Sequence, residues 1–250
     1  SQTARSSHLP MLRIHIAFLL NKQTLLILIL SVIVITGFFV YYADIASGYE
    51  MLDGERDYNQ SVYVSDSVHL LEFVLVLVGS AIGSLAYSET SSKYLTYLVF
   101  DRKTKFWANI SKSLSISLIE LGFVWFLLLM FYSIPRLFTP FQLSIADITK
   151  LFLLLYAEML FYTFLNSLMM IIVKNHSVLV IPLLLFFLLN QADSYAQIEA
   201  SELLRLANSV VVNLIWSLDG YTTYGDFHTL IFTSNLMVMF STFVSVRSDI

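Results

Sequence analysis

The chain has 250 residues, of which 57% are hydrophobic and 13% charged, and its mean hydropathy is +0.75. These values exclude an ordinary soluble globular domain and indicate a protein whose main solvent is lipid. The absence of cysteine excludes a disulfide framework, a thiolate metal site and a cysteine nucleophile. The formal net charge is −4, but in a membrane protein the distribution of charge between the two sides is more informative than the total.

The amino-terminal region divides into two parts. Residues Ser1 to Pro10 are polar and differ in character from the rest of the chain, as a leftover expression tag would, and are set aside. Between Met11 and Gln23, apolar residues are interrupted by Arg13, His15 and Lys22. This pattern predicts an amphipathic helix in the cytoplasmic interface, which leads by an elbow into the first span.

Six stretches are predicted to cross the membrane. A helix rises 1.5 Å per residue, so about 20 apolar residues cross a hydrocarbon core about 30 Å thick. The predicted spans are residues 24–42, 68–87, 114–134, 151–173, 177–189 and 229–246. The first is too long for a typical signal-peptide core and lacks a good cleavage site, so we interpret it as a retained span. The fifth is short and forms a hairpin with the fourth.

The distribution of basic residues predicts the orientation. With the amino end inside, ten Lys and Arg lie on the cytoplasmic side and four outside, as the positive-inside rule requires. Both chain ends are therefore predicted to be cytoplasmic, and segments 44–66 and 191–228 to be extracellular loops. Residues 203–218 have helical spacing, but a seventh span would move Arg247 outside. We interpret them as a helix that dips into the outer leaflet before the last span.

Three glutamates fall within predicted spans: Glu72, Glu120 and Glu158. A charge there is costly unless it faces protein or water. The three residues are therefore candidates to line a translocation path or to pair with a substrate cation. The alternative is that they are protonated or hydrogen-bonded and hold helices together. In the same second span, Gly79 and Gly83 predict a close helix contact.

Motifs for catalysis are missing from the sequence. Neither G-x-x-x-x-G-K-[ST] nor G-x-G-x-x-G occurs, so any use of ATP would have to come from a partner. His69 and Glu72 share a helix face, but no further ligand is spaced to complete a metal site. Ser84 and His228 are the only loose candidates for an intramembrane serine hydrolase, and they are predicted near opposite membrane faces. We therefore predict no catalytic and no metal-binding residues.

The cytoplasmic segment after the second span resembles a known family. An acidic residue is followed by a short helix with apolar positions, by an arginine, and by a lysine where the third span begins. The residues that match are Glu89, Tyr94, Leu95, Leu98, Val99, Arg102 and Lys112. With the six spans and the Arg247-x-Asp249 ending, they make the chain similar to permease subunits of type-two ABC exporters. The chain departs from the usual pattern at residues 92–93 and 100–101.

This resemblance implies an all-α integral membrane protein of the bacterial plasma membrane that works as a dimer. The chain would pair with a second permease copy or homologue and with two cytoplasmic ATPase subunits, in contact with membrane lipid and without nucleic acid. ATP and Mg²⁺ would bind to the ATPase, and this chain would hold no cofactor. Segment 88–105 would be the coupling helix, although an ordinary solvated loop is the alternative. The residues expected to contact the ATPase are Glu89, Tyr94, Leu95, Leu98, Phe100 and Arg102.

The sequence favours an amphipathic substrate over a small ion. The spans are rich in aromatic residues and poor in charge, and the acidic outer loop 44–66 suits a cationic amphipathic peptide. The chain is also similar in size to permeases of bacterial peptide-toxin exporters, such as those for phenol-soluble modulins. The alternatives are a drug or lipid exporter permease, a non-transporting membrane interaction or immunity protein, and an intramembrane hydrolase.

Overall fold

The structure is a computed structural model that describes residues 8–47, 60–88, 102–138, 141–173, 175 and 179–185. The helices are α1 (His8–Leu19), α2 (Lys22–Ser47), α3 (Gln60–Ala86), α4 (Arg102–Ser133) and α5 (Ile145–Val173), and a 3-10 turn covers Pro135–Leu137. Residues 180–185 are also helical. The regular structure in these ranges is entirely helical, which confirms the all-α prediction for them.

Four helices are long and apolar enough to cross a membrane. These are Lys22–Ala46, Asp66–Ala86, Thr104–Leu137 and Ile145–Val173. The chain is therefore a multi-pass helical membrane protein, and its first four predicted spans are confirmed. Only part of the fifth predicted span, 179–185, is among the described residues. The sixth span, the dipping helix and the carboxyl end lie outside them.

The helices are longer than the apolar stretches from which they are predicted. Residues 44–47 and 60–66, predicted to belong to an extracellular loop, are helical, and 48–59 lie outside the described residues. Residues 102–105, the last part of the predicted coupling segment 88–105, are the first residues of α4, and 89–101 lie outside the described residues. Hydropathy marks only the part of a helix in hydrocarbon, whereas backbone hydrogen bonding continues into the polar interface.

A sharp turn separates α1 from α2, where the elbow is predicted. The Asn21 side-chain oxygen accepts a hydrogen bond from the Thr24 backbone N–H at 2.9 Å. This bond caps the first turn of α2, whose N–H groups have no partner within the helix. Helix α1 begins at His8, so the last three residues of the polar stretch 1–10 are helical. Pro10 is tolerated there because the first helical turn needs no N–H donor.

Helix α1 packs on α4, so the predicted interfacial helix is docked on the protein. His15 and Leu19 are buried in the bundle, whereas Arg13 and Ile14 are exposed. Lys112 of α4 lies within electrostatic range of His15. Burial, and then the charge of Lys112, lower the pKa of His15 to about 4.

This low pKa predicts that the docking of α1 depends on pH. Undocked His15 takes up a proton below about pH 6.5, but docked His15 does so only near pH 4. Protonation of His15 should therefore weaken docking as the pH falls from about 6.5 towards 4. Because the chain has no cysteine, fluorophores on cysteines placed at Arg13 and Phe106 can report the α1–α4 distance. His15→Leu should abolish the pH response in this range, and a response that persists in this variant would assign it to another group.

Helix α3 is the centre of the described bundle and packs against α2, α4 and α5. Helix α4 runs antiparallel to it. At one end the Tyr63 hydroxyl donates to the Phe131 carbonyl oxygen at 2.8 Å. At the other end the hydroxyls of Tyr87 and Ser113 are 3.4 Å apart. The two helices are therefore tied together at both ends.

A cluster of aromatic rings surrounds the Tyr63 end of this pair. Its members are Phe39, Tyr63, Phe131 and Phe141, and each is at most 2% exposed. The ring of Phe131 stacks on Tyr63 with centroids 5.4 Å apart and meets Phe39 edge-on at 5.8 Å. Phe141 precedes α5 and closes the cluster with a centroid 5.3 Å from that of Tyr63. This aromatic cluster joins α2, α3 and α4 to the connection that leads into α5.

Candidate functional site

The three intramembrane glutamates lie on three different helices, and none is exposed to lipid. Glu72 of α3, Glu120 of α4 and Glu158 of α5 are each 0% exposed. Glu120 and Glu158 are near the middle of their spans, and Glu72 is nearer one end of the Asp66–Ala86 span. A carboxyl group at such a depth is a candidate functional group, because the membrane interior offers it no water.

Close contact between α3 and α5 depends on two glycines. A Cβ on Gly79 would lie 2.6 Å from the Thr163 hydroxyl oxygen and 3.1 Å from the Met159 carbonyl oxygen. A Cβ on Gly83 would overlap the Thr163 carbonyl oxygen and lie 2.9 Å from the Ser167 hydroxyl. Gly79 lies opposite Met159 and Thr163, and Gly83 lies opposite Thr163 and Ser167, so the two helices run in the same direction.

Polar residues face one another along this contact and form what we call the polar seam. It consists of Glu72 and Ser80 on α3 and of Glu158, Tyr162 and Asn166 on α5. The spacing on each helix is four residues or a multiple of four, which keeps side chains on one face. Glu158 lies within electrostatic range of Glu72, and the Asn166 side-chain amide donates to the Ser80 carbonyl oxygen at 2.6 Å.

Several oxygens of the polar seam lack a hydrogen-bond partner. Among the described residues, no partner is found for either carboxyl oxygen of Glu158, for the side-chain oxygen of Asn166 or for the Ser80 hydroxyl. Each of these residues is at most 1% exposed. Buried polar atoms normally find partners, because an unpaired one costs about 1–3 kcal/mol. The seam is therefore an oxygen-rich acceptor site.

Glu120 lies beside the polar seam and belongs to a different contact. The Thr163 hydroxyl donates to one Glu120 carboxyl oxygen at 2.5 Å. Nearby, the Tyr156 hydroxyl donates to the Ser117 carbonyl oxygen at 3.1 Å. Glu120 thus joins α4 to α5 through Thr163, the same residue that packs on Gly79.

His69 lies at the end of the polar seam that is nearest the membrane interface. Its Nδ1 is 3.6 Å from a carboxyl oxygen of Glu72, and its side chain is 49% exposed. The residue lies in the first turn of the Asp66–Ala86 span, so its exposed part is near the interface. The described residues contain no group of three or more side chains suited to holding a metal ion.

The other predicted residues fall partly inside and partly outside the described ranges. Arg102 is the first residue of α4, whereas Glu89, Tyr94, Leu95, Leu98 and Phe100 lie outside the described residues. Ser84 is 2% exposed inside the α3 span, and His228 is outside the described part of the chain.

Sequence reasoning missed several polar members of the bundle interior. The sequence did contain a pattern that could have identified Tyr162 and Asn166. They follow Glu158 at intervals of four residues, which places all three on one helix face. Lys112 is predicted as a cytoplasmic charge, but it is 2% exposed and its Nζ lies 3.9 Å from the centre of the Tyr87 ring. Such a cation–π contact stabilises an ammonium group away from water.

The site as a whole holds carboxyl, amide and hydroxyl oxygens beside one half-exposed imidazole. Such a set can bind protons or cations. No protein-family model matches the chain, and no curated protein matches it.

Proposed function

We propose that this chain is the membrane-spanning permease subunit of an ATP-driven ABC exporter that moves an amphipathic substrate out of a bacterial cell. The proposal is supported by the resemblance of residues 89–112 to type-two exporter permeases and by the multi-pass helical fold. In this function ATP hydrolysis takes place in two separate cytoplasmic subunits. Two permease chains, identical or homologous, enclose the path.

The observation that most supports the proposal is the position of the segment expected to contact the ATPase. This segment connects α3 to α4, the two helices that contain Glu72 and Glu120. It follows α3, which ends at Ala86, and precedes α4, which begins at Arg102. Glu120 accepts a hydrogen bond from Thr163 of α5, and Glu72 lies within electrostatic range of Glu158 of α5. A displacement of the segment would therefore change the surroundings of buried carboxyl groups.

The packing of α3 and α4 suits the transmission of such a displacement. Helix α4 has 32 residues, which makes it about 48 Å long against a hydrocarbon core of about 30 Å. The contacts of Tyr63 with Phe131 and of Tyr87 with Ser113 tie it to α3 at both ends. The pair would tilt as a unit together with α5, which packs closely on α3, and shift an equilibrium between inward-open and outward-open states.

For the substrate we propose a cationic amphipathic peptide, with a drug or a lipid as the alternatives. A peptide with an apolar face matches the apolar spans, and its cationic groups match the buried carboxyl groups and the acidic segment 44–66. A non-transporting immunity protein would bind the same ATPase, but ATP turnover would not respond to the peptide.

Reconstitution in liposomes tests the proposal. We expect the chain to co-purify with an ABC ATPase and a cationic amphipathic peptide to stimulate ATP turnover. Changing Tyr94, Leu95 and Leu98 to Asp should abolish both, because charged side chains cannot enter an apolar groove on the ATPase.

The control places two such charges just beyond the other end of α4. Leu137 and Phe138 are 79% and 52% exposed, and their change to Asp should leave ATPase binding and stimulation intact. Binding without stimulation would favour the immunity protein. Equal loss in the control would show that the first variant acts through general destabilisation, and absence of ATPase binding by the unaltered chain would refute the proposal.

A further inference from the structure

The carboxyl group of Glu120 is joined to α5 by one short hydrogen bond, and its second oxygen is unused. The Thr163 hydroxyl donates to Oε1 of Glu120 at 2.5 Å, within the range of about 2.5–2.7 Å that is typical of a hydroxyl bonded to an ionised carboxylate. No partner is found for Oε2 among the described residues. Both side chains are 0% exposed, and Glu120 lies at the middle of the Thr104–Leu137 span. One acceptor oxygen therefore remains available in the membrane interior.

An ionised carboxylate at this depth needs a positive charge beside it, because charges are costly in hydrocarbon. In the described part of the chain, no basic side chain forms an ion pair with Glu120. Lys112, the nearest basic residue on the same helix, lies two turns away, and its ammonium group packs on the ring of Tyr87 at 3.9 Å. A proton is the cation that requires the least space, and a carboxylate oxygen binds it without further ligands.

The Thr163 hydroxyl has a second acceptor within its own helix. Thr149 and Ser167 of α5 donate their hydroxyls to the backbone carbonyl oxygen four residues earlier, each at 2.8 Å. For Thr163 this oxygen belongs to Met159, and both oxygens border the same residue, Gly79. A threonine in a helix commonly divides between two rotamers, because its hydroxyl can bond a carbonyl oxygen of the preceding turn. Thr163 can therefore change its acceptor by rotation about one side-chain bond.

We propose that Glu120 is a proton-binding site inside the membrane and that the Thr163 side chain is a switch that responds to it. With Glu120 ionised, the Thr163 hydroxyl donates to Oε1. A proton from water binds to Oε2, so the carboxylate becomes a neutral carboxyl group with one new O–H bond. A hydrogen bond to a neutral acceptor is about half as strong as one to a carboxylate. The Thr163 hydroxyl then rotates to the Met159 carbonyl oxygen.

Other charged and titratable groups around α4 have different positions. The carboxyl groups of Glu72 on α3 and Glu158 on α5 belong to the polar seam, which lies between those two helices. His15 of α1 is within electrostatic range of Lys112, two turns of α4 before Glu120. The titratable side chains of α2 lie in its first and last two turns. We therefore assign the proton to Glu120.

Proton uptake would loosen the contact between α4 and α5. It removes the hydrogen bond from Thr163 to Glu120 and leaves the bond from Tyr156 to the Ser117 carbonyl oxygen, at 3.1 Å. Tyr156 is the titratable residue of α5 in electrostatic range of Glu120. The close contact of α5 with α3 does not depend on the carboxyl group. The switch requires neither an ATPase nor a transported substrate, so it stands independently of the exporter proposal.

Infrared titration of the full chain in lipid nanodiscs, without an ATPase, tests the switch. Between about pH 10 and about pH 5 the C=O stretch of protonated carboxyl groups should grow, and the component that is missing in Glu120→Gln belongs to this residue. Thr163→Val keeps the shape of the side chain but removes the donor. In this variant Glu120 should bind its proton about tenfold more tightly, because a hydrogen bond to the ionised form is lost. Thr163→Ser should restore the titration of the unaltered chain.

A second measurement on the same samples follows the hydroxyl itself. With methionine isotope-labelled at the carbonyl carbon, proton uptake should shift one carbonyl band to lower frequency, because the Met159 oxygen gains a hydrogen bond. This shift should be absent in Thr163→Val, which has no hydroxyl to donate. It should also be absent in Glu120→Gln, where no proton is taken up at this position.

The matched control is Ser167→Ala, which removes a buried hydroxyl one turn further along α5. This hydroxyl donates to the Thr163 carbonyl oxygen, so its loss should change neither measurement. Equal proton affinity of Glu120 in Thr163→Val and the unaltered chain would overturn the switch. So would a Glu120 component that stays constant over the whole pH range. Unchanged helix content by circular dichroism identifies variants that are correctly folded. If Thr163→Val does not fold, a methionine band that still responds to pH in Glu120→Gln would refute the proposal.

Discussion

Gly83→Ala should destabilise the folded bundle by about 2–3 kcal/mol, the cost of inserting a methyl group into a close-packed contact. The added Cβ would overlap the carbonyl oxygen of Thr163. That atom belongs to the backbone of α5 and cannot rotate away, so α5 as a whole must move. The contact also holds Glu158 and Asn166 against α3, and the variant should therefore loosen the polar seam.

Gly79→Ala should cost less than Gly83→Ala. The nearest atom to its added Cβ is the Thr163 hydroxyl oxygen, a side-chain atom that a rotamer change can move. That rotation would break the bond from Thr163 to Glu120, which is worth about 1 kcal/mol. The two variants thus disturb the same neighbour in different ways.

Two other glycines serve as controls. Gly37 of α2 and Gly122 of α4 have no atom within 4 Å of an added Cβ, so alanine should be neutral there or stabilising by up to about 1 kcal/mol. Reversible unfolding in mixed micelles, followed by tryptophan fluorescence, measures all four variants. Equal destabilisation at Gly37 and Gly83 would mean that the α3–α5 contact is not specially tight.

Much of the fold is predictable from the sequence because lipid imposes a simple requirement. A backbone in hydrocarbon must satisfy its own hydrogen bonds, so an apolar stretch of sufficient length can only be a helix. Residues 24–42 and 114–133 meet this condition and lie within α2 and α4, and the predicted span 114–134 runs one residue past the end of α4. Helix ends are predicted less well, because polar residues such as Arg102, Gln60 and Asp66 interrupt the hydropathy pattern before the helix ends.

The polar seam is harder to predict, because it depends on which helices are neighbours. Glu72 and Glu158 are visible as charges in apolar stretches, but nothing in either stretch shows that the two are close. Ser80 and Asn166 are 86 residues apart in the sequence, and each resembles an isolated polar residue. Small residues at 79 and 83 indicate that α3 has a close partner, and only the structure identifies this partner as α5.

Phe131→Ala should also destabilise the bundle strongly, by about 2–3 kcal/mol. Phe131 is 0% exposed and contacts the rings of Phe39, Tyr63 and Phe141. Its removal leaves a cavity between α2, α3 and α4 and forfeits the van der Waals contacts of a whole ring. The cost should fall below that of the same change in a soluble core, because lipid-exposed and buried rings have similar solvation in a membrane.

Phe126→Ala is the matched control, because it makes the same change on the same helix at a residue that is 42% exposed. Lipid can fill the space left by that ring, so the unfolding free energy should change by less than about 0.5 kcal/mol. A difference between the two variants would show that packing holds the bundle together at the end of the α3–α4 pair opposite the coupling segment. Equal effects would instead mean that the transfer of aromatic side chains from lipid into the protein, and not their packing in the aromatic cluster, sets the stability. In that case α3 and α4 would not be held together firmly enough to tilt as a unit.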